Sequence, residues 1–256
     1  MFASRRGWVA VVAFALVWGM LLYYVIFQAS RLLAVQGGGG SSMVGAVLDF
    51  LGMDQLTHWR VPELAVYWLL GLMLLPFYSV ALSADQTASD RSRGTLRFLS
   101  LRSTRAQIFF GRYLGQLLLL LIFVGASLLS TLPVALYRDA SAIPDWLSLA
   151  PAVLLNLLLV LAPYVALMGL VSALARSARQ AMLFAIILWV VTWLVVRYLF
   201  AYFPQAGFLD WTMPGSQIPY LLRVVGWDAV QFAWIPLLQT VVLLVVGFLV
   251  MQRKDL

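Results

Sequence analysis

Apolar runs of about 20 residues recur along this 256-residue chain, and no other feature limits its folding more. Six are legible: Trp8 to about Phe27, Leu64 to Ser83, Gly111 to Leu136, Leu149 to Ala175, Ala181 to Ala201 and Phe232 to Met251. Each is long enough to cross the hydrocarbon core of a bilayer as a helix. In lipid every backbone N–H and C=O must be paired within its own segment or in a closed barrel, and uninterrupted runs favour helices over alternating strands. Composition agrees, with 63% hydrophobic and 11% charged residues against roughly half and a quarter in soluble domains. The expectation is an all-α polytopic membrane protein, one six-helix transmembrane domain over residues 1–256.

The basic residues orient it. With the N-terminus inside, Arg5, Arg6, Arg91, Arg93, Arg97, Arg102, Arg105, Arg112, Arg176, Arg179, Arg253 and Lys254 lie on the cytoplasmic side. The opposite side holds Arg31, Arg60, Arg138 and Arg223. This is the positive-inside asymmetry, so both termini are expected in the cytoplasm. Arg197 falls near the outer end of the fifth run, where it could snorkel to the interface or line a polar path; snorkelling is favoured. The net charge of +7 does not point to nucleic acid, because the excess sits on short loops where topology demands it and no aromatic-basic platform accompanies it. Cysteine is absent, which excludes disulfides and thiolate metal sites. The first run is longer than a signal-peptide core and is read as retained.

Two outer loops are expected. Residues 28–62 begin with a flexible Gly37–Gly40, Ser41, Ser42 stretch. Met43, Val44, Val47, Leu48, Leu51 and Leu56 then follow near helical spacing, as in a short amphipathic helix on the outer leaflet, against a partner, or simply packed on the bundle. Residues 202–231 carry Pro204, Trp211, Pro214, Pro219, Tyr220 and Trp227, a composition suited to the headgroup level and to a re-entrant pair of short helices. Within the spans, Asn156 and Gln239 are single amides of the kind that join helices, and Pro76, Pro163 and Pro236 offer kinks. Gly111-x-x-x-Gly115 is a weak helix-contact motif.

The cytoplasmic loop between the second and third runs, residues 84–110, is the most specific segment. It reads ADQTASDRSRGTLRFLSLRSTRAQIFF, with Leu96, Phe98, Leu99, Leu101, Ile108, Phe109 and Phe110 set between arginines. Gly94 and Thr95 can end one helical turn and cap the next, giving a helix-turn-helix beneath the bilayer. Any cytoplasmic hairpin needs arginines and a turn, so physics alone only modestly favours a docking site.

The stretch DRSRGTLRFLSLRSTRAQIFFGRYLG resembles the corresponding loop of the type-2 ABC exporter permeases. Asp90 stands at the family's acidic position, Gly94, Thr95 and Leu96 at its Gly-Thr-Leu, Thr104 and Arg105 at its Ser/Thr-Arg, and Gly111 and Arg112 at its Gly-Lys. LVSALARSARQAMLFAIILW is similar to the family's tight turn between helices four and five, and FLVMQRKDL to its usual ending. Arg102 replaces the customary proline, and MFASRRG is too short for the family's amphipathic elbow helix.

The resemblance implies a permease subunit in the bacterial cytoplasmic (inner) membrane. It would pair with a second permease as homo- or heterodimer and rest on two copies of an ABC ATPase, with a periplasmic or membrane accessory protein as a further partner. Asp90, Arg91, Arg93, Gly94, Thr95, Leu96, Phe98, Leu99, Thr104, Arg105 and Arg112 would form the ATPase-docking hairpin, apolar residues filling a groove and charges forming its rim. ATP and Mg would be held by that partner. This chain has one lysine, Lys254, and no phosphate loop, so it binds no cofactor of its own on this reading.

Enzymatic readings are weaker. His58 is the single histidine and no H-E-x-x-H occurs, which leaves a metal hydrolase or an intramembrane serine protease without ligands or base. Asp85 and Asp90 lie among arginines that favour salt bridges over paired-carboxylate catalysis. A stronger alternative is mechanotransmission, in which ATP moves a periplasmic partner and no substrate passes. Sparse polarity in the spans fits a hydrophobic or lipid-like cargo, or none.

Overall fold

The computed structural model describes residues 16, 18–31, 54–84, 103–175, 177–202 and 209–253. Among them no strand occurs, and the helices are a π-helical stretch Leu21–Phe27, α1 (Pro62–Ser83), α2 (Arg105–Leu129), α3 (Thr131–Arg138), α4 (Ile143–Leu174), α5 (Ala178–Tyr202), the short α6 (Ile218–Leu221) and α7 (Trp234–Arg253), with brief 3₁₀ turns between them. Five helices of the described residues are long and apolar enough to cross a membrane: α1, α2 continued by α3, α4 with the turn before it, α5 and α7. Residues 8–15 and 17 of the first apolar run, the tetraglycine stretch and residues 43–53 lie outside the described residues.

Helix limits follow local chemistry more than hydropathy. The α2 helix starts at Arg105, before the apolar run, because Thr104 caps it. The start of α4 at Ile143 also precedes its apolar run: Pro144 loses nothing in a first turn whose N–H groups have no intrahelical acceptor, and Asp145 there favours the positive end of the helix. Pro76 sits inside α1, which continues through it, and the Ser79 hydroxyl donates to the Pro76 carbonyl at 2.8 Å. Pro236 lies in the first turn of α7, so it removes no intrahelical bond there.

The chain forms two compact units. The first comprises the described residues of Met1–Leu70, Phe123–Leu154 and Leu222–Asp228. Its polar side chains find partners across helices, as an apolar surround requires. Tyr67 donates to the Val124 carbonyl at 3.0 Å and shares a hydrogen bond with the Ser127 hydroxyl at 2.9 Å. Trp18 donates to Ser130 Oγ at 2.8 Å and meets the Tyr67 ring edge-to-face. Trp146 donates to Thr131 Oγ1 at 3.1 Å, and Trp227 to the Ser148 carbonyl at 3.1 Å. The 3₁₀ turn Asp54–His58 packs inward through buried Leu56, and Trp59, just after it, is buried against Trp68.

The second unit comprises the described residues of Gly71–Ile122, Leu155–Leu221 and Ala229–Leu256. Its core is the α4 segment Leu157, Leu161, Val165 and Met168, all fully buried. Gly71 lets α1 approach Leu157, whose methyl would stand 3.0 Å from any Cβ there. Small residues bring α5 against the end of α4, where Ala175, Ala181 and Ala185 cluster with Met168 and Val171.

Candidate functional site

Of the residues that sequence places at the docking hairpin, Asp90, Arg91, Arg93, Gly94, Thr95, Leu96, Phe98 and Leu99 lie outside the described residues. Thr104, Arg105 and Arg112 lie within them, where the chain leaves that loop and enters α2. Thr104 and Gln107 form a reciprocal cap. The Gln107 amide donates to Thr104 Oγ1 at 3.2 Å, and the Thr104 amide donates to Gln107 Oε1 at 2.9 Å. Two N–H groups without intrahelical acceptors are thereby satisfied, a T-x-x-Q capping box.

Arg105 turns toward α7. Its Nη1 donates to the carbonyls of Met251 at 3.2 Å and Gln252 at 3.0 Å. These carbonyls belong to the last turn of α7, where no intrahelical N–H reaches them and the helix dipole favours a cation. Beneath this cap, Ile108 and Phe109 of α2 pack with Met251, Leu244 and Phe248 of α7. Gly247 makes the close approach possible, since a Cβ there would lie 2.7 Å from Phe109 Cζ. Phe110 meets Phe248 with ring centroids 5.7 Å apart. Further along α2, Arg112 is half-buried. A Cβ added at Gly111 or Gly115 would meet no neighbouring helix of the described residues within 4 Å.

The other end of α7 is anchored by an amide. Gln239 Nε2 donates to the carbonyls of Trp211 at 2.6 Å and Met213 at 2.9 Å and approaches Ser216 Oγ at 3.1 Å. Tyr164 of α4 donates to the Pro214 carbonyl at 3.0 Å. Gly215 adopts φ of 91°, and a Cβ there would collide with the Tyr164 hydroxyl. Gln239 thus joins a loop to a helix, where sequence offered a helix-to-helix amide. Arg197 is exposed and lies over the Trp193 ring at 5.9 Å.

In the first unit, Arg138 at the end of α3 forms a bidentate pair with Glu63 in the first turn of α1, at 2.6 and 3.3 Å. Glu63 is fully buried. Next to Arg138, the Ser141 hydroxyl and amide both donate to the Asp139 carboxylate, at 2.8 and 2.9 Å, and hold its pKa below the usual carboxylate range. Exposed Arg60 pairs with Asp145 at 3.2 Å. His58 is exposed and 3.5 Å from the Thr57 hydroxyl.

The chain matches the family described as ABC-2 family transporter protein over residues 2–256. It belongs to that family. No curated protein and no solved structure matches it. As an ABC-2 permease it is a multi-pass membrane transport subunit and not itself a catalyst, and the family in general works with an ABC ATPase and in a dimeric arrangement. Within this permease, the Thr-Arg pair that carried part of the resemblance acquires a physical meaning: Thr104 caps α2 and Arg105 joins it to α7. The T-x-x-Q spacing could have disclosed the cap. Nothing in the local pattern could have disclosed that Arg105 faces residues 251 and 252, or that Gly247 receives Phe109.

Proposed function

We propose that this chain is the permease subunit of an ATP-driven transporter, converting ATP hydrolysis by a separate ATPase into export or movement of a hydrophobic or lipid-like cargo. The family match across residues 2–256 carries this reading. On it, the protein lies in the bacterial cytoplasmic membrane with six spans, the run 8–27 supplying the first, and with both termini and the hairpin 84–110 in the cytoplasm. Residues Asp90, Arg91, Arg93, Gly94, Thr95, Leu96, Phe98 and Leu99 enter a groove of the ATPase, one ATPase copy for each of two permeases. ATP and Mg are held by the ATPase.

The cargo class is supported by the character of the helices. Buried polar groups in the second unit are neutral ones such as Asn156, Gln217, Gln239 and Thr240, in helices made largely of aliphatic residues. A strongly charged solute would lose its hydration there without equivalent partners.

Purification from the native membrane tests the assignment. An ABC ATPase in equal amount is expected, and its absence would remove the reading; an additional outer-side protein in the same complex would favour mechanotransmission over export. Replacing Gly94 by a bulky residue (Gly94→Val) is expected to leave membrane insertion intact while lowering permease-stimulated ATP hydrolysis about tenfold or more, the scale of a lost interface anchor. Unchanged stimulation would count against docking through this hairpin.

A further inference from the structure

We infer that Arg105 is a positioning residue inside the permease: it ties the hairpin exit to the end of the last span, so that movement of the hairpin is delivered to α7. This rests on the functional reading above and assigns Arg105 a role different from the rim charge expected of it.

The two carbonyl bonds of Arg105 lie within the chain. A guanidinium exposed to a partner would present its fork outward, whereas Nη1 of Arg105 is committed to two carbonyls of its own chain, Met251 and Gln252. Charge-assisted bonds of this type are about twice as strong as neutral ones. They also act at a helix terminus, which otherwise frays. The α2 side of the joint is equally fixed, because the Thr104–Gln107 cap holds the first turn of α2.

Apolar packing closes the joint. Phe109 occupies the notch at Gly247, and Phe110 lies against Phe248. Ile108 and Met251 belong to the same buried cluster. Two helix ends are therefore locked by polar bonds at the rim and by aromatic packing beneath, and α2 cannot shift its first turn without displacing the last turn of α7. Residues 85–103 connect directly into that first turn. A displacement imposed on the loop has a rigid route into the bundle that needs no nucleotide-binding residue in this chain.

The test uses the permease with its ATPase in nanodiscs, comparing wild type, Arg105→Ala, Arg105→Lys and Gly247→Val. Amide hydrogen exchange across residues 244–253 is followed without nucleotide and with a non-hydrolysable ATP analogue. Wild type is expected to change exchange in this segment when the analogue binds. R105A should retain the ATPase in equal amount, lose most of that nucleotide response and exchange about tenfold faster at 250–253, the loss expected for a charge-assisted bond. R105K, which keeps a cation at the helix end, should recover part of the response. G247V should weaken it with Arg105 in place, by pushing Phe109 out of its notch.

A folded R105A that sheds the ATPase would make Arg105 a docking residue and overturn the inference. A nucleotide response at 244–253 that persists in both R105A and G247V would overturn it as well. If R105A does not fold, R105K and G247V decide by the same two criteria. A wild-type preparation without an ATPase is a different outcome, because it defeats the functional reading itself.

Discussion

Helices α4 and α5 have closely similar hydropathy, yet 72% of the apolar stretch of α4 is buried within the chain and only 11% of that of α5. Along α4, Leu157, Leu161, Val165, Ala166 and Met168 have no exposed surface. Along α5 the buried residues are Ala181, Ala185 and Val196, while Phe184, Ile187, Trp189, Val191 and Leu194 face outward. Hydropathy records readiness to leave water. It does not record whether the replacement is protein or lipid, and lipid tails are as apolar as leucine. The second unit is consequently built on α4, and α5 buries only the small Ala181 and Ala185 near one end and Val196 toward the other.

If burial governs cost, the largest effect falls where a charge is buried. Arg138→Ala would leave the enclosed Glu63 carboxylate without its partner, at about 3–5 kcal/mol, seen as loss of the folded fraction in detergent. Retained stability would mean that water reaches Glu63.

The direct contrast is smaller. Leu161→Ala in α4 is expected to cost about 2–4 kcal/mol through the cavity it opens, whereas Leu188→Ala in α5 should stay within about 0.5 kcal/mol. Midpoints of unfolding in mixed micelles would report both, and equal losses would break the comparison.

The smallest effect lies at Asp139, just before the turn that leads into α4. Its carboxyl is held below the ordinary carboxylate range by Ser141, so its contribution is present above that range and declines as pH falls through the lowered value. Asp139→Asn should cause a small loss at neutral pH, where the wild-type contribution is fully present, and a flatter acid side on which the difference from wild type fades as pH falls. A profile unchanged from wild type would show that the Ser141 contacts carry no linkage.

Much of the fold was legible because its signals are local. The runs at 64–83, 111–136, 149–175, 181–201 and 232–251 coincide with helices long and apolar enough to span, differing at ends where Thr104 or Pro144 and Asp145 start a helix outside the apolar stretch. The Thr-Arg motif drew notice to the start of α2, where Thr104 forms a cap and Arg105 bonds to α7, but it did not disclose those contacts. The Gly-Thr-Leu motif lies outside the described residues. Arg105 and Met251 are 146 residues apart, and Glu63 and Arg138 are 75 apart. No periodicity links such pairs. Gln239 illustrates the same limit, since a lone amide in a span announces that it needs partners without naming them.

The amino-acid sequence by itself determined the solvent and the secondary structure, because 20-residue apolar segments in lipid have little choice except to pair their own backbone. It also determined where capping occurs, a matter of three or four neighbouring residues. Only the tertiary structure decided which helix is enclosed by protein, which carbonyls receive Arg105, and which carboxylate is enclosed with Arg138. Those outcomes depend on shape: a missing side chain at Gly247 or Gly71 matters only once another helix arrives to fill the gap.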